Sequence, residues 1–70
     1  MERTAVRSRD LAIVGYDPVS ETLEVAFKSG GVYHYSGVPA AVYQKFLTAS
    51  SVGKYFSENI KDKFQTVKIH

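Results

Sequence analysis

The chain contains no cysteine, and this absence removes several kinds of chemistry at once. Without thiols there is no disulfide framework, no thiolate metal site and no cysteine nucleophile. Long apolar runs are also missing, since no stretch approaches the roughly 18 residues that a membrane-spanning helix requires. The opening residues, MERTAVRSRD, are not followed by the apolar segment of a secretory signal. We therefore expect a cytoplasmic location without contact to a membrane.

A strong excess of charge is absent as well. Nine Lys and Arg residues against seven Asp and Glu give a net charge of +2. This balance permits binding to nucleic acid without requiring it, and a solvated surface of mixed charge explains it more simply. A chain of 70 residues allows one domain, and a domain this small buries only about 60% of its unfolded surface. Nine aromatic side chains, five Tyr and four Phe, must supply much of its core.

The first half of the chain has the patterns of β-strands. Three strands are predicted, over 10–16, 22–28 and 32–36. These segments are rich in apolar and β-branched residues, alternate between apolar and polar positions, and are bounded by turn residues. Asp17 and Pro18 begin the first turn, where Asp17 can accept a hydrogen bond from a following backbone N–H. Gly30 and Gly31 mark the second reversal.

Pro39 then begins a helical pattern, because proline is favoured at the first helical position. Apolar spacing predicts two amphipathic helices, over 39–49 and 52–63, and Ser50 and Ser51 can cap the second. The sequence thus predicts an α+β fold: a three-stranded antiparallel meander followed by two helices packed on one face. Residues 66–70 allow a short C-terminal fourth strand, and residues 1–9 are expected to be a flexible or edge segment.

Strand register decides which way the central tyrosines point. A five-residue first turn, 17–21, pairs Ile13 with Val25 and places odd-numbered residues on one face. A three-residue second loop pairs Lys28 with Val32 and puts Tyr33 and Tyr35 on that same apolar face. A two-residue loop would send both tyrosines to the other face, because a slip by one residue inverts a strand. The three-residue loop separates polar from apolar side chains better and is favoured.

Three segments follow one another along the chain: IVGYDPVSETLEVAF, SGGVYHYSGVP and VYQKFLTASSVGKYFSENI. Together, in this order, they resemble the KTSC domain. The resemblance covers residues 8–64, and the central Y-x-Y of the family corresponds to Tyr33-His34-Tyr35. The family is named for its occurrence at the C-terminus of some lysyl-tRNA synthetases, and free-standing members of about this length exist. The resemblance implies RNA binding, and it implies neither aminoacylation nor catalytic residues.

Tyr33 and Tyr35 are candidates for a platform on which single-stranded bases stack. The alternative, which the favoured register supports, is that both rings lie in the core beneath the helices. His34, Tyr16 and Lys28 would then share the opposite, exposed sheet face. That face could stack bases or receive another protein, although a lone surface histidine is the more ordinary explanation.

The remaining candidates are lysines. Lys54 lies where the second helix begins and can contact a phosphate there, although a capped turn explains the same residues. Lys61 and Lys63 can form a basic patch with Lys68, or simply stabilise the end of the helix. No paired carboxylates and no Ser-His-Asp or Cys-His set is present, so we predict no enzymatic activity, no metal site and no cofactor.

Two functional hypotheses remain. The first is a small binding module for RNA, with the candidate residues Tyr16, Lys28, Tyr33, His34, Tyr35, Lys54, Lys61 and Lys63. The second is a protein-interaction or homodimerisation module that uses the exposed sheet face or an edge strand. Neither hypothesis calls for a small-molecule substrate.

Overall fold

A computed structural model describes all residues, 1–70, as one antiparallel sheet with two helices on one face. Five strands follow one another in the order of the chain, β1-β2-β3-β4-β5. The elements are β1 (Glu2–Ala5), β2 (Leu11–Asp17), β3 (Thr22–Phe27), β4 (Val32–Ser36), α1 (Ala40–Thr48), α2 (Val52–Asn59) and β5 (Gln65–Lys68). The predicted α+β class, the meander and both helices are confirmed. The segment 1–9 contributes β1 at one sheet edge, and the C-terminal strand β5 forms the other edge.

The predicted register of the first hairpin is wrong from Ile13 to the turn, where Asp17 instead of Tyr16 pairs with Thr22. Leu11 pairs with Phe27 as predicted, but a β-bulge follows, and Ile13 pairs with Ala26 rather than Val25. The extra residue, Ala12, reverses the alternation, since two residues of β2 oppose one of β3. Beyond the bulge Val14 turns inward and is fully buried, while Ile13 turns outward and is 41% exposed.

Tyr16 follows the same shift. It was predicted to share the exposed face with His34, but it is buried and pairs with Leu23. Its ring stacks on Tyr43 of α1, with ring centroids 4.5 Å apart. Its hydroxyl donates a hydrogen bond to the carbonyl oxygen of Val38, at the entrance to α1. Tyr16 therefore ties the sheet to the helical layer.

The second hairpin has the predicted three-residue loop at a different position. The Gly30 N–H donates to the Phe27 carbonyl oxygen at 2.9 Å, and the Phe27 N–H donates to the Gly31 carbonyl oxygen at 2.8 Å. The loop is therefore 28–30, with Gly30 at a φ of 110° that suits glycine. Val32 pairs with Ala26, not with Lys28. The pairing moves by two residues, so the tyrosines stay on the core face as predicted.

Both helices lie on that core face and close the core. Phe46 of α1 is fully buried and packs against Phe56 of α2, with ring centroids 6.3 Å apart. Ser51 caps α2, because its Oγ accepts a hydrogen bond from the Lys54 N–H at 3.3 Å. Helix α2 is shorter than predicted and ends at Asn59. Neither helix has the length and apolar character needed to cross a membrane.

Removing the Tyr16 hydroxyl should lower stability measurably. Tyr16→Phe keeps the ring stack on Tyr43 but leaves the buried Val38 carbonyl without this donor, which typically costs about 1–3 kcal/mol. Urea unfolding should show this loss in the free energy of unfolding. Tyr33→Phe is the matched control, because no hydrogen bond of the Tyr33 hydroxyl is present in the protein. Equal stabilities of the two variants would contradict the role of the Tyr16 bond.

Candidate ligand-binding cleft

A cleft of about 650 Å³ opens between the core face of the sheet and helix α2. It lies where the β3–β4 hairpin, the N-terminal end of β2 and strand β5 meet one side of α2 and the residues that follow that helix. Its size falls within the roughly 300–1,000 Å³ typical of small-ligand sites. The cleft combines an aromatic floor with charged side chains at its rim.

Four aromatic rings form the floor, contributed by Phe27, Tyr33, Tyr35 and Phe56. Tyr33 meets Phe27 edge to face at 5.5 Å, and Phe56 meets Tyr35 in the same way at 5.4 Å. Edge-to-face contacts hold rings in defined orientations. Tyr35 is only 5% exposed, whereas Tyr33 and Phe27 are half-buried. Tyr33 thus presents part of a fixed ring to solvent.

Glycine at position 31 makes room for that ring. A Cβ built on Gly31 would lie 3.0 Å from Cε1 of Tyr33, closer than side chains normally approach. The Tyr33 ring can therefore lie over the backbone of the hairpin.

Two lysines supply positive charge to the cleft. Lys68 lies directly opposite Tyr33 in the β4–β5 pair, and side chains opposite each other in a sheet are neighbours on one face. Lys61 follows the last turn of α2 and also lines the cleft. Neither lysine forms an ion pair, because both ion pairs of the protein involve Glu24 on the other side of the sheet. Both ammonium groups are therefore free to meet an anion.

Two carboxylates, Asp10 and Asp62, line the same cleft. Asp62 has a backbone φ of 63°, a left-handed conformation that Asp and Asn tolerate better than most residues. Burial raises the pKa of the Tyr35 hydroxyl, and the negative charges of ionised Tyr33 and of Asp62 raise it further. Asp62 is therefore close enough to Tyr35 to influence it electrostatically.

The structure brings three of the predicted candidates together in this cleft: Tyr33, Tyr35 and Lys61. Five others lie elsewhere. Tyr16 is in the core, and His34 is on the opposite sheet face. Lys28 is in the hairpin loop, and Lys54 borders a shallow depression at the start of α2. Lys63 is exposed outside the cleft.

Sequence reasoning missed Phe27, Phe56, Asp10 and Asp62 as cleft residues, and it placed Lys68 only in a diffuse basic patch. The apolar spacing that identifies Phe27 and Phe56 as core residues gives no sign of an opening beside them. Only the docking of α2 and β5 against the hairpin creates that opening.

The opposite face of the sheet is not covered by the helices and carries a network centred on Glu24. The Arg3 Nε donates to one Glu24 carboxylate oxygen at 2.6 Å, and the His34 Nε2 lies 2.9 Å from the other. The Glu24 side chain is only 13% exposed. The hydrogen bonds from Arg3, and then from His34, hold the pKa of Glu24 below its ordinary value. His34 is therefore engaged within the sheet face.

This network should make stability depend on pH in the acid range. A lowered pKa in the folded state means that ionised Glu24 stabilises the fold above its unfolded pKa of about 4.3, and that this contribution is lost as the pH falls through the lower folded value. The stability difference between the wild type and Glu24→Gln should therefore shrink as the pH falls below about 4. Urea unfolding of both proteins at a series of pH values measures this difference in the free energy of unfolding. A difference that stays constant in acid would refute the assignment.

An apolar row lies beside this network on the same open face. Ala5, Ile13, Ala26 and Val32 are successive partners across four strands, and the backbone N–H of Ile69 bonds to the Val32 carbonyl oxygen at 2.7 Å. Ile13 is 41% and Ile69 51% exposed. The open face therefore combines exposed apolar side chains with one charged network.

The chain belongs to the KTSC domain family, whose model matches residues 7–64. It is 44% identical over 61 residues to an uncharacterized protein of Stutzerimonas stutzeri, which covers 87% of this chain and 86% of that protein. It is also similar to the crystal structure of a KTSC domain protein from Yersinia pestis. That similarity has a TM-score of 0.95 and 40% identity, and it covers 99% of this chain and 97% of the other.

The family also connects the chain to larger proteins. It is 40% identical over 50 residues to a lysine–tRNA ligase of Nostoc sp., which spans 71% of this chain but only 9% of the ligase. A lysine–tRNA ligase of Trichormus variabilis is 42% identical over a segment of the same length. The resemblance to the KTSC domain that the sequence predicts is therefore confirmed.

Proposed function

We propose that this domain is a non-catalytic module that binds an unpaired strand of RNA in the cleft beside α2. A base stacks on the exposed part of the Tyr33 ring, and the flanking phosphates meet Lys61 and Lys68. The observation that carries the proposal is the combination at one place of a fixed, half-exposed tyrosine ring and two lysines without carboxylate partners.

The chemistry of the cleft suits nucleic acid. Stacking on an aromatic side chain is worth about 1–3 kcal/mol per base and tolerates every base, because each base has a π-face. Lysines that neutralise phosphates add affinity that does not depend on sequence. The two requirements for binding single strands are thus present side by side.

The size of the cleft favours an unpaired strand. Double-stranded RNA is recognised by shape over about 16 base pairs, by contacts to successive grooves. The cleft of this domain is a local opening of about 650 Å³ and does not extend over successive grooves of a duplex. An unpaired nucleotide can enter such an opening, whereas a base within a duplex is stacked and out of reach.

The relatives support the same proposal. The similar ligases of Nostoc sp. and Trichormus variabilis are, by name, enzymes that act on tRNA. The shared segment is a small part of those enzymes, so it supports a contact to RNA and carries no ligase chemistry to this chain.

Fluorescence anisotropy with a labelled single-stranded oligouridine and a matched duplex tests the proposal. We expect the single strand to bind more tightly. The logarithm of its association constant should fall with the logarithm of salt concentration with a slope of about −1.4 or steeper, as expected for two neutralised phosphates on a single strand. No binding at low salt, or a preference for the duplex, would overturn the proposal.

The apolar row on the open face favours a second function, association with a protein. Exposed apolar side chains that run across a whole sheet are typical of interaction surfaces. Sedimentation equilibrium of the wild type and of Ile13→Lys tests the case of self-association. A monomer at every concentration would exclude self-association, whereas a dimer that Ile13→Lys dissociates would support it.

A further inference from the structure

We infer that the cleft distinguishes ribose from deoxyribose, and that the Asp62 carboxylate does so by accepting a hydrogen bond from the 2′-hydroxyl of the bound nucleotide. This inference rests on the proposed binding of an unpaired strand and adds a discrimination that stacking cannot supply. A base stacks on Tyr33 equally well whether it is attached to ribose or to deoxyribose.

A carboxylate in a cleft that binds nucleic acid changes the affinity of the cleft. It repels phosphates and therefore weakens binding, unless the ligand offers it a hydrogen-bond donor. An ionised carboxylate can only accept hydrogen bonds, and Asp62 takes part in neither ion pair of the protein. The sugar hydroxyl is the donor that every ribonucleotide carries at its backbone and that deoxyribonucleotides lack.

The position of Asp62 fits this role. It directly follows Lys61 in the chain, and both residues line the cleft. In RNA the 2′-hydroxyl is attached to the carbon next to the one that bears the 3′-phosphate. A phosphate held by Lys61 therefore places a 2′-hydroxyl a few bonds away, within the cleft that Asp62 also lines.

Asp10 is the other cleft carboxylate and is less suited. It lies immediately before β2, next to Leu11, at the side of the cleft that β2 borders. Its cationic neighbour in sequence, Arg9, does not line the cleft, whereas Lys61 beside Asp62 does. Asp10→Asn is therefore a matched control that removes a cleft carboxylate at a different position.

The test compares two single strands that differ only in the 2′-hydroxyl, oligouridine and oligodeoxyuridine of equal length. For the wild type we expect RNA to bind about tenfold tighter or more, the effect of one hydrogen bond to a charged group. Asp62→Gly removes the acceptor and suits the left-handed backbone, so this ratio should fall close to one. Asp10→Asn should keep the ratio of the wild type.

The outcomes separate the inference from the proposed function. Equal affinity of the wild type for both strands overturns ribose discrimination and leaves strand binding intact. A preference for RNA that persists in Asp62→Gly overturns the role of Asp62. Binding of neither strand overturns the proposed function together with this inference. If Asp62→Gly fails to fold, Asp62→Asn, which also tolerates the left-handed backbone, replaces the charged acceptor with a weaker neutral one. It should lower the ratio below that of the wild type, and an unchanged ratio would overturn the role of the Asp62 charge.

Discussion

Tyr33→Ala should weaken binding of single-stranded RNA by about fivefold or more, because it removes the stacking surface, worth about 1–3 kcal/mol per base. Tyr33 is the half-exposed ring of the cleft floor, and Phe27 holds it edge to face at 5.5 Å. The positive charge of the cleft is unchanged in this variant, so the salt dependence of the remaining binding should stay close to that of the wild type. Anisotropy titrations across salt concentrations measure both quantities.

Two controls belong to this experiment. Tyr33→Phe keeps the ring and should bind within about twofold of the wild type, since stacking does not require the hydroxyl. His34→Ala changes the adjacent residue, whose side chain bonds Glu24 on the opposite face of the sheet, and should not affect binding. Circular dichroism establishes that each variant is folded. Wild-type affinity in a folded Tyr33→Ala protein would place the RNA outside the cleft.

Phe46→Ala should have the largest effect on stability, a loss of about 3–5 kcal/mol. Phe46 is fully buried, and its ring lies 6.3 Å from that of Phe56 and 6.2 Å from that of Tyr55. Truncation leaves a cavity at the junction of both helices and the sheet. A small domain has a total stability near the lower end of about 5–15 kcal/mol, so much of it would be lost.

Thermal unfolding measures this loss. For a domain of this size, 3–5 kcal/mol corresponds to a fall in melting temperature of roughly 12–40 °C. Val19→Ala truncates an apolar side chain that is 93% exposed and should change stability by less than about 0.5 kcal/mol. Similar melting temperatures for the two variants would show that Phe46 does not occupy the centre of the core.

The parts of the fold that depend on local pattern could be predicted from the sequence. Alternation identified β3 and β4, and Ser51 caps α2 as predicted. Pro39, predicted as the first helical residue, is instead the extended N-cap residue directly before α1. The turn after β2 also follows its residue chemistry, since the Asp17 carboxylate accepts a hydrogen bond from the Val19 N–H at 3.0 Å.

The bulge at Ala12 could not be predicted, because several registers satisfy the same apolar residues. Leu11, Ile13 and Val14 are all apolar, so hydrophobicity does not reveal which of them turns outward. The choice is made by tertiary contacts, above all by the stacking of Tyr16 on Tyr43 and its hydrogen bond to Val38. This bulge removed Tyr16 from the list of exposed candidates.

The cleft could be predicted only in part, for a related reason. Tyr33 and Tyr35 stood out as a motif, but Lys68 and Asp62 become their neighbours only when β5 pairs with β4 and α2 docks on the sheet. Lys61 and Lys63 look equivalent in the sequence, and the structure places only Lys61 at the cleft. The position of each lysine in the fold thus distinguishes residues that the sequence alone does not distinguish.

That distinction provides the most direct test of the central claim that the cleft, and not overall positive charge, binds the RNA strand. The double variants Lys61→Ala/Lys68→Ala and Lys28→Ala/Lys63→Ala lose the same charge, one pair inside the cleft and the other outside it. Their affinities for single-stranded oligouridine are measured side by side at one salt concentration. We predict a loss of about tenfold or more for the cleft pair and a loss of less than about threefold for the outer pair. Equal losses would contradict the account.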